Sequence, residues 1–109
     1  MVYMITEHWW PSGESEKVGQ TWLEAMKQFP EDRSISKPVV QAATWPSDQK
    51  MHSITVYSVQ PGKVKEAMDL AFKRLLVFAN KIEGWQYEIN IAFDSVEAMG
   101  VIGLKPPEV

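Results

Sequence analysis

The stretch Val39-Val40-Gln41-Ala42-Ala43-Thr44-Trp45-Pro46-Ser47-Asp48-Gln49-Lys50-Met51-His52-Ser53-Ile54-Thr55-Val56-Tyr57-Ser58-Val59 decides the fold. β-Branched and aromatic side chains dominate residues 39–45 and 51–59, which read as two strands. The residues between them, 46–50, suit a hairpin loop and leave no room for a helix. The two strands therefore pair antiparallel.

Upstream, residues 2–10 read as a strand that stops at Pro11. Pro11-Ser12-Gly13 turns the chain, Ser15 is placed to cap a helix, and Glu16 sits in its first turn. Val18, Trp22, Ala25, Met26 and Phe29 then recur at helical spacing until Pro30, and residues 31–37 form a polar loop. Downstream, Gln60-Pro61-Gly62 breaks the third strand. Val64, Ala67, Met68, Ala71, Phe72, Leu75, Phe78, Ala79 and Ile82 follow as one apolar stripe, with Phe72 and Leu75 at its centre. A helix of about 20 residues there spans roughly 30 Å. Gly84 sits where a helix-ending glycine belongs, residues 85–93 read as a fourth strand, and residues 94–100 as a short helical turn. From about residue 101 the tail, with Lys105-Pro106-Pro107, is expected to be extended.

Strand-helix-strand occurs twice, joined by the hairpin. With right-handed crossovers this predicts an α+β, ferredoxin-like βαββαβ domain over residues 1–109: a four-stranded antiparallel sheet with two helices on one face. A doubly wound parallel sheet needs another helix between the second and third strands.

The segment Val59-Gln60-Pro61-Gly62-Lys63-Val64-Lys65-Glu66-Ala67 resembles the second half of dimeric α+β barrel proteins, as does Glu83-Gly84-Trp85 entering the last strand. The opening strand with its Pro11-Ser12-Gly13 exit is similar to small domains of that superfamily. The resemblance implies a homodimer whose two sheets pack face to face around a pocket. It spans monooxygenases and isomerases without cofactors, decarboxylases and haem proteins, and the residues shared are turn residues, so it selects no activity.

Composition narrows the classes. Of 109 residues, 45% are hydrophobic and 23% charged, near the globular average, so one core forms without staples. There is no cysteine, which excludes disulfides, thiolate metal sites and cysteine nucleophiles. A net charge of −3 argues against nucleic acid, and the basic residues Lys63, Lys65, Lys73, Arg74 and Lys81 are interleaved with acids as on a solvated helix face. No apolar run approaches the roughly 20 residues of a membrane helix. The start, Met1-Val2-Tyr3-Met4-Ile5-Thr6-Glu7-His8, has no basic leader or cleavage site, so no membrane partner and a cytoplasmic location are expected.

Candidate site residues follow from strand parity. A sheet with helices on one side solvates or covers the other. In the fourth strand Trp85, Tyr87, Ile89, Ile91 and Phe93 suit the helix side, which leaves Gln86, Glu88, Asn90 and Ala92 on the open face. In the third strand Ile54 and Val56, with His52, are assigned to the helices, and Ser53, Thr55 and Tyr57 to the open face. Met4, Thr6 and His8 are placed on the open side of the first strand, and Val39, Gln41, Ala43 and Trp45 on that of the second. His8 then approaches Glu88, and the pair suits a general base with an orienting carboxylate. The simpler account is that the two groups satisfy one another or face water. Thr6, Gln41, Trp45, Tyr57 and Asn90 complete a candidate ligand pocket on that face, with Trp9 or Trp45 at its rim. Trp22 and Trp85 read as core, and of the six methionines Met4 and Met51 have the best claim to a pocket. No metal-ligand spacing and no glycine-rich phosphate loop are present, and no cofactor is required.

Three classes of function stand: a homodimer binding a small, partly apolar molecule, an enzyme without cofactor using His8, and a haem protein with an axial histidine, which a Soret band reveals.

Overall fold

The computed structural model describes residues 1–108. Strand β1 (Val2–Pro11) leads through a 3-10 turn at Ser12–Glu14 into helix α1 (Ser15–Gln28). Strands β2 (Ser36–Ser47) and β3 (Lys50–Val59) form the hairpin, helix α2 (Val64–Ala79) crosses back, and strand β4 (Gln86–Phe93) precedes helix α3 (Ser95–Val101). The four strands form one antiparallel sheet in the order β2-β3-β1-β4, an order consistent with a ferredoxin-like arrangement.

The hairpin is tighter than expected. Strands run to Ser47 and from Lys50, so only Asp48 and Gln49 turn the chain, both at positive φ (49° and 63°). That pair of left-handed residues is what a two-residue primed turn requires, because its twist matches the flanking strands. Gly84 is a required glycine: its φ is 76°, and a Cβ there would lie 3.0 Å from Pro11 Cγ.

Ser15 does not cap α1. It is the first helical residue; its hydroxyl donates to the Ser12 carbonyl (2.8 Å) and accepts from Trp10 Nε1 (3.1 Å), tying the helix start to the core. Asp94 does cap α3, its Oδ1 accepting from the Glu97 amide at 2.9 Å.

Two core clusters lie between sheet and helices. Met4, Tyr57, Val59, Ala67 and Ala71 form one, Trp10, Val18, Ala25, Phe78 and Ile82 the other. Ala67 and Ala71 let α2 lie close on β1. The buried arc of α2 is Ala67, Ala71, Arg74, Leu75 and Phe78. Leu75 is buried as expected, whereas Phe72, expected beside it at the centre of the stripe, is 52% exposed. The stripe is wider than the contact, and burial of Arg74 rotates the helix away from Phe72.

Sheet parity requires a larger correction. Met4, Thr6 and Trp10 of β1 are buried toward the helices, with His8 on the same side, and across from Met4, Thr6 and His8 lie Tyr57, Thr55 and Ser53. The sequence reading placed these residues on the open face and Ile54, Val56 and His52 inward; the arrangement is the reverse. In β4 the apolar set does face the helices, since Tyr87, Ile89 and Ile91 stand opposite His8, Thr6 and Met4. The cause is that polar and apolar residues are mixed in both parities of β1, so alternation alone does not orient it, and β1 carries β3 with it.

Candidate functional site

Between the sheet and the two helices lies a cavity of about 250 Å³. Its floor is the helix side of the sheet: Thr6 and His8 of β1, Ser53, Thr55 and Tyr57 of β3, and Ala42 and Thr44 of β2. The strands deliver these by alternation, every second residue pointing the same way. Ala42 belongs to a bulge in β2, where the register shifts between Val40 and Ala43. It has φ 50°, and its amide donates to Thr55 Oγ1 at 2.9 Å. The bulge bends the edge strand beside the cavity.

One wall is a line of α1 residues at helical spacing, Ser15, Gly19, Trp22 and Met26. Opposite stand Ala71, Arg74, Leu75 and Phe78 of α2. Gly19 lies within a helix where a Cβ would meet nothing within 4 Å. Glycine there costs helix stability and keeps the wall open.

One end is aromatic. The His8 ring stacks on Trp85 (centroids 5.1 Å, 16°) and on Phe78 (5.9 Å, 22°), Phe78 stacks on Trp85 (5.0 Å), and Trp85 on Tyr87 (5.1 Å). Burial, with a smaller electrostatic contribution from His52, lowers the His8 pKa to about 4, so the imidazole is neutral at physiological pH. His8 Nδ1 and Trp85 Nε1 are both buried with no hydrogen-bond partner among the described residues.

The other end is polar. Arg74 is 8% exposed; its Nε donates to the Phe29 carbonyl (2.8 Å) and its Nη1 to the Tyr57 hydroxyl (3.4 Å). Glu31 stands 3.6 Å from Nη1. Burial, then the Glu31 charge, push the Tyr57 phenol above its ordinary pKa, so it remains protonated.

Of the residues singled out in the sequence, Thr6, His8 and Tyr57 converge on this cavity. Glu88 does not. It stands opposite Glu7 on the far side of the sheet from His8, so the two form no general-base pair. Asn90, opposite Ile5, is on that far side too, and Trp45 is opposite His52. Gln41 lies exposed in the β2 bulge. On the open face a different pair forms: His52 Nε2 is 2.8 Å from Glu7 Oε2, its ring between Trp9 (4.4 Å) and Trp45 (4.1 Å). Trp9 and Trp45 thus belong to the open face, whereas Trp22 and Trp85, read as core, line the cavity. Met4, given a claim to a pocket, is the most deeply buried large side chain at 2%. Arg74 was missed because it reads as one of a run of surface cations. Its signal was its position, three residues after Ala71 on the apolar arc.

Among the described residues, no group of three or more His, Cys, Asp or Glu is arranged to hold a metal ion, and no helix is long and apolar enough to cross a membrane.

Fold and cavity together define a small α+β domain with one four-stranded antiparallel sheet and an amphipathic chamber beneath its helices. No protein-family model and no curated protein matches the sequence. Among solved structures, the chain is similar to a de novo designed protein, Foldit4, with TM-score 0.57 and 7% identity, over 86% of this chain and 99% of that one. At that identity the likeness is one of fold alone. A tripeptidase from Staphylococcus aureus subsp. aureus mu50 is similar at TM-score 0.47 and 7% identity, over 84% of this chain and 28% of that one.

Proposed function

We propose that this protein is a homodimer of the dimeric α+β barrel type that binds a small, partly apolar molecule between its sheet and its helices. The cavity carries this reading. Aromatic rings supply the apolar contact, and residues at both ends carry buried polar atoms with no hydrogen-bond partner among the described residues: His8 Nδ1 and Trp85 Nε1 at one, Arg74 Nη2 at the other. Each such atom left unpaired costs about 1–3 kcal/mol, and a bound polar group offsets that. A volume of about 250 Å³ is just under the roughly 300–1,000 Å³ of drug-sized sites, which favours single-ring ligands. Binding is favoured over general-base catalysis because an imidazole with a pKa of about 4 is a weak proton acceptor at neutral pH.

Gly19 provides the test. In Gly19→Leu the new side chain extends from the line of Ser15, Trp22 and Met26 that forms one wall, while a better helix former replaces glycine. A panel of single-ring acids, amides and amines is titrated against wild type by tryptophan emission. Compounds that bind wild type should lose binding to Gly19→Leu, and the variant should melt no lower. If no compound binds, or the binders are indifferent to Gly19→Leu, the reading fails.

The dimer is supported by what the parity leaves outside. Ile5, Ile54, Val56, Val40 and Ala43 share the open face, so the more apolar set of β3 faces away from the helices. Four strands of about eight residues span roughly 19 by 27 Å. Two such faces together offer about 1,000 Å², the size at which association becomes specific. Sedimentation equilibrium should give twice the 12.4 kDa chain mass. Ile54→Glu, which places an unpaired charge mid-face, should return the chain to 12.4 kDa. A wild type of 12.4 kDa at micromolar concentration overturns the dimer.

A further inference from the structure

We propose that the cavity's ligand carries a carboxylate that docks on Arg74 and a flat ring that lies at the His8 and Trp85 end, and that Glu31 holds the carboxylate's place when the cavity is empty. The inference rests on the binding reading above and concerns which chemical class that site accepts.

A guanidinium offers five donors in a fixed fork. Here only Nε and Nη1 are used, Nη1 at the long distance of 3.4 Å from Tyr57, and Nη2 has no hydrogen-bond partner among the described residues. The counter-charge is equally loose. Glu31 Oε1 is 3.6 Å from Nη1, beyond the roughly 2.7–2.9 Å of a charge-assisted hydrogen bond. Both Glu31 oxygens are buried without a hydrogen-bond partner among the described residues. A buried ion pair needs good geometry and satisfied donors to offset its desolvation, and this one has neither. A ligand carboxylate entering from the cavity can take Nη1 and Nη2 together, the bidentate arrangement that suits the fork best. Glu31 has a way out, because its side chain is already 23% exposed.

The remaining polar atom at that end agrees on the sign. Arg74 Nη2 is a donor only, so the ligand must bring an acceptor to it. A cationic ligand is opposed by Arg74. The spacing sets the shape: Tyr57 pairs with Met4, four residues from His8, so the two ends are about 13 Å apart along the sheet. An elongated acid with a terminal ring fits that span, its ring joining the His8, Phe78 and Trp85 stack.

The test is a matched pair of probes, 4-phenylbutyrate and 4-phenylbutanamide, titrated calorimetrically at pH 7. The acid should bind wild type about tenfold tighter than the amide, the difference a charge-assisted bond makes. Glu31→Gln, which removes the competing carboxylate, should tighten the acid severalfold and leave the amide unchanged. Arg74→Lys keeps the charge and loses the fork, so the acid should weaken severalfold and keep only part of its advantage over the amide, while the far-ultraviolet circular dichroism is retained. Should Arg74→Lys unfold, Glu31→Gln carries the test alone. Equal affinities for acid and amide, or a Glu31→Gln variant no better for the acid, overturn the carboxylate inference and leave the binding reading standing. Binding of neither probe also overturns it, and the compound panel with Gly19→Leu then decides the binding reading separately.

Discussion

Leu75→Ala should lower the stability of the domain by about 2–5 kcal/mol, whereas Phe72→Ala, three residues earlier on the same apolar stripe, should cost far less. Leu75 is 4% exposed on the buried arc of α2; Phe72 is 52% exposed. Truncating Leu75 removes apolar contacts and enlarges a space that neighbouring side chains already fail to fill, because the residue lines the cavity. For a chain of this size a loss of 1 kcal/mol moves the melting temperature by about 4 °C, so the two variants separate clearly in a thermal scan. Lys65→Ala, on the solvent side of the same helix, should melt like wild type. Equal losses for Leu75→Ala and Phe72→Ala would mean that the helix is rotated from the phase described.

Acid should destabilise the protein through His8 over a defined window. The native imidazole has a pKa of about 4 against 6.5 in the unfolded chain, because burial disfavours its charged form. Above pH 6.5 the ring is neutral in both states and the full stability is present. As the pH falls from 6.5 toward 4 the unfolded chain takes up a proton that the native protein does not, and stability declines. The gap corresponds to roughly 3 kcal/mol by pH 4. His8→Phe keeps a flat ring in the stack with Phe78 and Trp85 and removes the titration. The difference in melting temperature between wild type and this variant should therefore change across the window, while effects of the carboxylates cancel. A difference that stays constant from pH 7.5 to pH 4 would show that His8 titrates normally and is not buried as described.

The enzymatic alternative built on His8 and Glu88 has no geometric basis, because the two residues lie on opposite faces of the sheet. The pairing of a histidine with a carboxylate does occur, in His52 and Glu7, but within a stack of Trp9 and Trp45 on the open face of the sheet. Thr6, His8 and Tyr57 do meet in one chamber, under the helices, where His8 lies against rings that the sequence offered as plain core.

The element order and the antiparallel hairpin were legible in the sequence alone. They depend on local signals: β-branched runs, helical spacing of apolar residues, Pro and Gly at breaks, and a connection of five residues too short for a crossover. The apolar side of β4 was legible for the same reason, since Tyr87, Ile89, Ile91 and Phe93 alternate cleanly with Gln86, Glu88 and Asn90. What only the tertiary structure decided is which side of β1 and β3 meets the helices, and with it the place of the cavity. In β1 both parities mix polar and apolar residues, so the hydrophobic effect on the isolated strand is nearly indifferent between the two orientations. The choice falls to packing between elements distant in sequence, with Met4 clustered with Ala67 and Ala71, and Trp10 with Val18, Ala25 and Phe78. In β3 the result runs against hydrophobicity, with Ser53, Thr55 and Tyr57 inward and Ile54 and Val56 outward. Alternation reports how apolar a strand face is, but not whether that face meets a helix or the open side of the sheet.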